Sequence, residues 1–165
     1  DIVTKVVQLC EKYERKLYGV VSNMSIAMER RDLLQKFDCF ICNQQEAGMF
    51  FSDDYSEKSQ KELQEILAGC LKNGNIPSMV VTMGGKGSVY ADCDGLRGFC
   101  PPKNVSVKDT TGAGDSFCAG VASGLTYGKT LSEAVEIGTR LAASVITSSE
   151  NVCPRFLPAE FGLEV

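Results

Sequence analysis

Asp109-Thr110-Thr111-Gly112-Ala113-Gly114-Asp115-Ser116-Phe117 is the stretch on which the reading of this chain turns, and it runs straight into the small-residue segment Cys118 to Gly124. Two glycines around an alanine let a backbone turn tightly into a helix. The first N–H groups of that helix are then unpaired and point outward at the positive end of the dipole. Such a turn binds anions. Gly120 and Gly124 predict a helix that can lie close against a sheet and give the turn a rigid base. The same residue types permit a plainer role, in which Thr111 or Asp115 caps the helix. Two familiar phosphate loops do not fit. Phe117 stands where a dinucleotide fingerprint needs its third glycine, and Lys86 is followed by Gly87 with Val80 at the first-glycine position of a Walker A loop.

Outward from that stretch the chain alternates helices with short apolar strands. Ile2, Val6, Leu9, Cys10, Tyr13 and Leu17 fall at helical spacing, and Leu17 to Val21 is a strand-type run. A helical patch from Ala27 to Leu34 precedes the run Phe37 to Cys42, which breaks off in Asn43-Gln44-Gln45-Glu46. Leu63, Ile66, Leu67, Cys70 and Leu71 trace one helix face, Asn73-Gly74-Asn75 stops it, and Met79 to Thr82 is the next buried strand. Ser88 to Ala91 and Leu96 to Cys100 flank Asp94-Gly95, a hairpin signal. Downstream of Gly112 to Asp115 a last helix follows from Leu131, Ala134, Val135, Gly138, Leu141, Ala142 and Val145. This alternation predicts an α/β layered sandwich with a mostly parallel sheet. Four or five strands are few for such a sheet, and sequence upstream of Asp1 is expected.

Composition narrows the chemistry. Acidic residues outnumber basic ones 21 to 17, with no basic cluster interleaved by aromatics, so a nucleic-acid partner is not expected. No apolar run has membrane-span length and no signal pattern opens the chain, which reads as cytoplasmic with no membrane partner. With no histidine, Ser-His and Cys-His nucleophilic machinery is excluded, and acid–base work falls to carboxylates, Lys, Tyr or Cys. The eight cysteines are read as reduced thiols, and Cys39 and Cys42, the one C-x-x-C, as buried structural residues inside an apolar segment.

The string D-T-T-G-A-G-D-S-F resembles the C-terminal signature of the ribokinase-like, or PfkB-type, carbohydrate kinases. Two further motifs agree in order: Asn43-Gln44-Gln45-Glu46 is similar to the N-x-x-E motif, and Thr82-Met83-Gly84-Gly85-Lys86-Gly87 is similar to the T-x-G-x-x-G turn. The resemblance implies that residues 1–165 are the nucleotide-binding and catalytic part of such a kinase domain, its N-terminal substrate and lid part being absent. It implies ATP-dependent phosphoryl transfer to a hydroxyl of a sugar or nucleoside. Asp115 would be the general base and the amides of Gly112, Ala113 and Gly114 the anion hole. Thr82, Gly84, Gly85, Gly87 and Asn43 would line the nucleotide. Glu46 would act through water on Mg²⁺. Asp109 and Thr111 match positions that hold a monovalent cation, K⁺, in many family members. By residue type alone, Asn43 and Glu46 also read as a helix N-cap and its capping-box partner.

For the substrate, Met24-Ser25 and Ser148-Ser149-Glu150-Asn151 followed by Cys153-Pro154 resemble the pseudouridine kinase branch, with ribose or fructose next. A homodimer through the absent N-terminal part is implied for the family. Phe50, Phe51 and Phe156 are read first as core or scattered surface positions, with contact to the absent part as the alternative. The alternative to a kinase is a truncated fragment that binds nucleotide and performs no chemistry alone.

Overall fold

The computed structural model describes residues 1–20, 24–149 and 157–163, the side chains of Met24 and Ile26 excepted. The side chain of Met24, together with Glu150, Asn151, Cys153, Pro154 and Phe156, lies outside the described residues. The elements run α1 (Ile2–Lys12), β1 (Tyr18–Val20), α2 (Met24–Glu29), a 3-10 turn (Arg31–Lys36), β2 (Cys39–Asn43), α3 (Gln44–Phe51), α4 (Gln60–Gly74), β3 (Ser78–Thr82), a 3-10 turn (Gly84–Lys86), β4 (Ser88–Asp92), β5 (Arg97–Cys100), α5 (Ala113–Thr126), α6 (Leu131–Ile146) and a 3-10 turn (Pro158–Phe161). They fall into two compact units, Asp1–Gly84 with Ser88–Phe99, and Gly85–Gly87 with Cys100–Val165.

The first unit is built on a five-stranded sheet in the order β1-β2-β3-β4-β5. β1, β2 and β3 are parallel, and β4 returns antiparallel to β3. Parallel strands need crossovers and, buried on both faces, read as continuous apolar runs. That is why Cys39-Phe40-Ile41-Cys42 and Met79-Val80-Val81 lack alternation. Phe40, Cys42, Met79, Val81, Val89 and Ala91 form one face and pack with Leu34, Phe50, Leu63, Leu67 and Leu71 into a single core. Cys39, Ile41, Val80 and Tyr90 on the other face are also buried. The C-x-x-C therefore places its thiols on opposite faces of a strand, since residues three apart point opposite ways. Among the described cysteines all are free thiols.

One expectation is corrected in this unit, and two positions are fixed by it. The patch Ala27 to Leu34 is not one helix. Arg30 leaves helical geometry at φ −120°, ψ 41°, and the adjacent Leu33 and Leu34 are both buried by a 3-10 turn. The apolar face of α1 is largely exposed, with only Val7 buried. Phe50 lies in the core and Phe51 packs on it.

The second unit centres on the antiparallel-sequence pair α5 and α6, joined by a short turn and capped at Thr130 by a capping box with Glu133. A Cβ on Gly120 would stand 2.6 Å from the Gly138 Cα, one on Gly124 2.8 Å from the Ala134 Cα, and one on Gly138 2.6 Å from the Phe117 carbonyl oxygen. The small residues of α5 thus serve contact with α6, helix on helix, where the sequence suggested contact with a sheet. No helix among the described residues is long and apolar enough to cross a membrane.

Candidate active site

α5 starts at Ala113, and its N-cap is Gly112 at φ 77°, ψ 0°, with no side-chain cap. This left-handed geometry explains the glycine. Neither Thr111 nor Asp115 caps the helix: the Thr111 hydroxyl donates to Asp109 Oδ1 at 2.8 Å, and the Thr111 amide donates to the same oxygen at 2.9 Å. These bonds, the amide first, hold the Asp109 carboxyl below the usual range. Upstream, the Lys108 and Asp109 amides both donate to the Ile146 carbonyl, at 2.8 and 3.4 Å, which ties the approach to the turn to the end of α6.

The orphan donors of the first helical turn can be counted. The Ala113 amide donates to the Thr110 carbonyl at 3.2 Å, and Ser116 makes the first helical bond, to Gly112, at 2.9 Å. The amides of Gly112, Gly114 and Asp115 meet no acceptor among the described residues. Sequence reasoning named Gly112, Ala113 and Gly114; the Asp115 amide was missed, although the third helical position is always one of the orphans. The Asp115 carboxylate is exposed and engages no partner among the described residues. A free carboxylate therefore stands on the same turn as a set of free donors, which is an arrangement for holding an anion beside a base.

A second group gathers at the C-terminal ends of β2 and β3, where Asn43 and Thr82 are paired across the ladder. Asn43 Oδ1 accepts from the Glu46 amide and Glu46 Oε2 from the Asn43 amide, both at 2.8 Å, a complete capping box that starts α3. One Glu46 oxygen is so occupied. The other is available to a bound metal's water, and a metal that keeps its hydration shell asks no more. Among the described residues no three acidic, Cys or His groups form a metal cage. After Thr82 the chain turns through Gly84 at φ 58° and Gly87 at φ 101°. Gly85 and Gly114, like Gly69 of α4, have no positive φ, and a Cβ on any of them would meet nothing within 4 Å among the described residues. Asn43, Glu46, Thr82 and Gly84 belong to the first unit, and Gly85, Gly87 and Asp109 to Asp115 to the second.

The second unit also holds a shallow hollow of about 520 Å³ between the 103–105 segment and α6. Its two cations are engaged, Lys103 with Glu136 at 3.5 Å and Arg140 with the Glu160 carbonyl and the Phe161 ring. The hollow is thus a poorer anion site than the open turn before α5.

The family model described as pfkB family carbohydrate kinase matches residues 2–154. The chain belongs to that family. This pfkB-family chain is 38% identical over 160 residues to the guanosine-inosine kinase of Exiguobacterium acetylicum, covering 96% of the chain and 52% of that relative. A shorter similarity, 40% over 57 residues, relates 34% of the chain to 18% of the pseudouridine kinase of Escherichia coli. Its fold matches the structure of Arabidopsis thaliana ribokinase complexed with ribose and ATP at a TM-score of 0.79 and 21% identity, over 90% of this chain and 47% of that one. The ribokinase-like α/β fold expected from the sequence is thereby shown. The pfkB-family chain spans about half the length of these fuller matches.

Proposed function

We propose that this chain is the nucleotide-binding and catalytic part of an ATP-dependent kinase that phosphorylates a hydroxyl of a nucleoside. The observation that carries the reading is the unpartnered Asp115 carboxylate on a helical turn whose Gly112, Gly114 and Asp115 amides are also unpartnered. Phosphoryl transfer asks a protein for positioning and for preorganised positive potential where charge develops. Asp115 accepts the proton of the acceptor hydroxyl as its oxygen bonds to the γ-phosphorus. The bond from that phosphorus to the β,γ-bridging oxygen breaks, and the nucleoside diphosphate leaves with the electron pair. The free amides of the turn, aided by the dipole of α5, hold the phosphoryl oxygens in place.

Glu46 would hold the Mg²⁺ of the nucleotide through water, and that ion would supply charge neutralisation on the phosphates. Asn43, Thr82 and the Gly84, Gly85 and Gly87 turn line the nucleotide. The open space in front of Gly85 and Gly114 leaves room for a ligand to approach the main chain closely. Asp109 keeps a second carboxylate oxygen beyond the one that Thr111 occupies, which suits the monovalent-cation role. For the acceptor, the similarity to a guanosine-inosine kinase over 160 residues favours a purine nucleoside. Pseudouridine, to which the sequence leaned, is supported by a 57-residue similarity, and the residues behind that leaning lie partly outside the described ones.

The test is turnover of the complete gene product with ATP and, separately, guanosine, inosine, pseudouridine, ribose and fructose, repeated for Asp115→Asn. Loss of a positioned base lowers turnover by about 10² to 10⁴, while ATP binding by titration calorimetry persists. Activity of Asp115→Asn within a few-fold of the parent refutes the assignment. The chain spans about half the length of the guanosine-inosine kinase relative, and the second reading is that the 165-residue segment alone binds ATP and turns nothing over.

A further inference from the structure

We infer that the buried Ser88 hydroxyl is a positioning group for the nucleotide and acts through Thr82 in a two-hydroxyl relay. Ser88 donates to Thr82 Oγ1, and Thr82 donates to an acceptor oxygen of the nucleotide. The inference rests on the nucleotide-lining role proposed for Thr82 and adds a residue that the T-x-G-x-x-G turn does not contain.

Ser88 supplies the first observation. It is 2% exposed, and among the described residues its Oγ is the fully buried side-chain oxygen that makes no hydrogen bond. A buried hydroxyl without a partner costs free energy that an alanine would not, and most such groups are paired. Thr139, the other buried polar residue described, follows that rule, since its hydroxyl donates to the Val135 carbonyl at 2.9 Å. The rest of the buried run of β4 is Val89, Tyr90 and Ala91.

Strand register supplies the second. Asn43 of β2 pairs with Thr82 of β3, and Thr82 pairs with Ser88 of β4. Directly paired residues share a face of the sheet, so three polar side chains stand in one row. The next row on that face is Ile41, Val80 and Tyr90, all buried. The polar row is therefore confined to the carboxyl ends of β2 and β3, within the first unit alone. It is graded as well: Asn43 is exposed, Thr82 half-buried and Ser88 buried. A ligand can touch the first two and reaches the third only through its neighbour.

The third observation is how loosely Thr82 is held. Its hydroxyl donates to the Cys42 carbonyl at 3.5 Å, against about 2.5–3.0 Å for a good O–H···O bond. Rotation about one side-chain torsion releases it. Opposed residues of an antiparallel pair have Cβ atoms about 4.5–5.5 Å apart, and Thr–Ser pairs so placed can bond through their hydroxyls. A hydroxyl whose oxygen accepts one bond also donates the next more strongly. Binding of the nucleotide thus gives Ser88 the partner that the fold does not, and the penalty of the orphan becomes part of the affinity.

The experiment is a double-mutant cycle on the complete gene product, with the dissociation constant for ATP and Mg²⁺ measured by titration calorimetry. Its arms are the parent, Ser88→Ala, Thr82→Val, which keeps the branched shape and removes the hydroxyl, and the double variant. Ser88→Ala raises Kd roughly three- to tenfold, the range of one neutral hydrogen bond. In the Thr82→Val background the same change leaves Kd within about twofold. Without nucleotide the melting temperature of Ser88→Ala is equal to or above that of the parent, and its rise on adding a fixed concentration of ATP is smaller. An unchanged Kd for Ser88→Ala overturns the relay, and a weakened Thr82→Val in the same series still keeps Thr82 at the nucleotide. Additive effects of the two changes overturn it too, as does a lower melting temperature of Ser88→Ala without nucleotide, the mark of a hydroxyl bonded within the fold. Thr82→Val without effect on Kd removes the relay and the nucleotide role of Thr82 together. These readouts are of binding, so their failure is distinct from failure of the catalytic role of Asp115.

Discussion

Replacing Gly114 with alanine separates the fold from the chemistry at a single carbon atom. Gly114 is the second residue of α5, in helical geometry, and a Cβ built there meets nothing within 4 Å. Alanine in a helix is favoured over glycine by about 0.8–1.0 kcal/mol, and removing a glycine also lowers the entropy of the unfolded chain by a comparable amount of free energy, about 0.4–1 kcal/mol. These are views of one effect rather than two to be added. At the end of a helix the gain is smaller, so about 0.5 kcal/mol is expected, which raises the melting temperature by roughly 1–2 °C. The new methyl is not neutral for a ligand. Every Cα–Cβ bond of a helix tilts toward its N-terminus, so this methyl projects into the space in front of the free Gly114 and Asp115 amides. An anion held there is pushed outward. Loss of one preorganised donor costs about 10² to 10³ in kcat, and the same order is expected here. The assay is thermal unfolding alongside steady-state turnover of the complete gene product. A variant that is as stable as the parent or more so, and retains activity within a few-fold, refutes phosphate binding at this turn.

Gly120→Ala makes the same chemical change six residues on and has the opposite outcome for folding. Its Cβ falls 2.6 Å from the Gly138 Cα, 2.9 Å from the Gly138 nitrogen and 3.1 Å from the Ile137 oxygen, so overpacking of about 1–3 kcal/mol exceeds the propensity gain, and urea denaturation reports a net loss of about 1–2 kcal/mol. Glu46→Gln keeps capping-box chemistry, since glutamine serves at the third helical position, so its stability changes as little as that of Glu62→Gln in the matching box of α4; turnover falls by tenfold or more for Glu46→Gln alone, and equal activities in the two variants remove Glu46 from the metal. Burial pushes the Cys39 thiol up to about 11, against about 8.5 in an unfolded chain. The unfolded state ionises first, so the stability this neutral thiol contributes is intact below about pH 8.5 and falls as pH rises toward about 11. Urea titrations of the parent and Cys39→Ala from about pH 8 to pH 10.5 show the steeper decline in the parent.

The strands of the first unit were legible because parallel strands buried on both faces leave unbroken apolar runs, and Met79 to Thr82 became Ser78–Thr82 with only its first residue unforeseen. The α5 start was legible for a different reason: a left-handed residue ahead of a helix selects glycine, and Gly112 has that geometry. What periodicity could not reveal was which surface an apolar face meets. The stripe of α1 and the small face of α5 were both read correctly as faces; the first was given no neighbour, and the second was given the sheet. One is open to solvent and the other lies on α6. Helical spacing fixes the direction of side chains relative to one another and carries no information about the partner.

The same limit governs the motifs. Asn43-x-x-Glu46, Ser59-x-x-Glu62 and Thr130-x-x-Glu133 share one spacing, and all three form complete capping boxes. An acidic residue three positions after a small polar one is therefore what a helix start requires, and the spacing alone cannot single out a metal ligand. Position does. Asn43 ends the parallel strand β2, is paired with Thr82 at the end of β3, and stands where ligands of open α/β sheets collect, beyond the carboxyl ends of the strands. Ser59 follows a loop and Thr130 a turn between helices, neither of them at a strand end. The Asp115 turn is marked out in another way. It is the one of these helix starts whose N-cap supplies no side chain, so its orphan amides are left for something other than the protein to satisfy. Among the described residues the chain provides a side-chain cap at the starts of α1, α3, α4 and α6 and withholds it at α5; that contrast is what supports the proposed ligand site, and it is visible only once the hydrogen bonds of each first turn are counted.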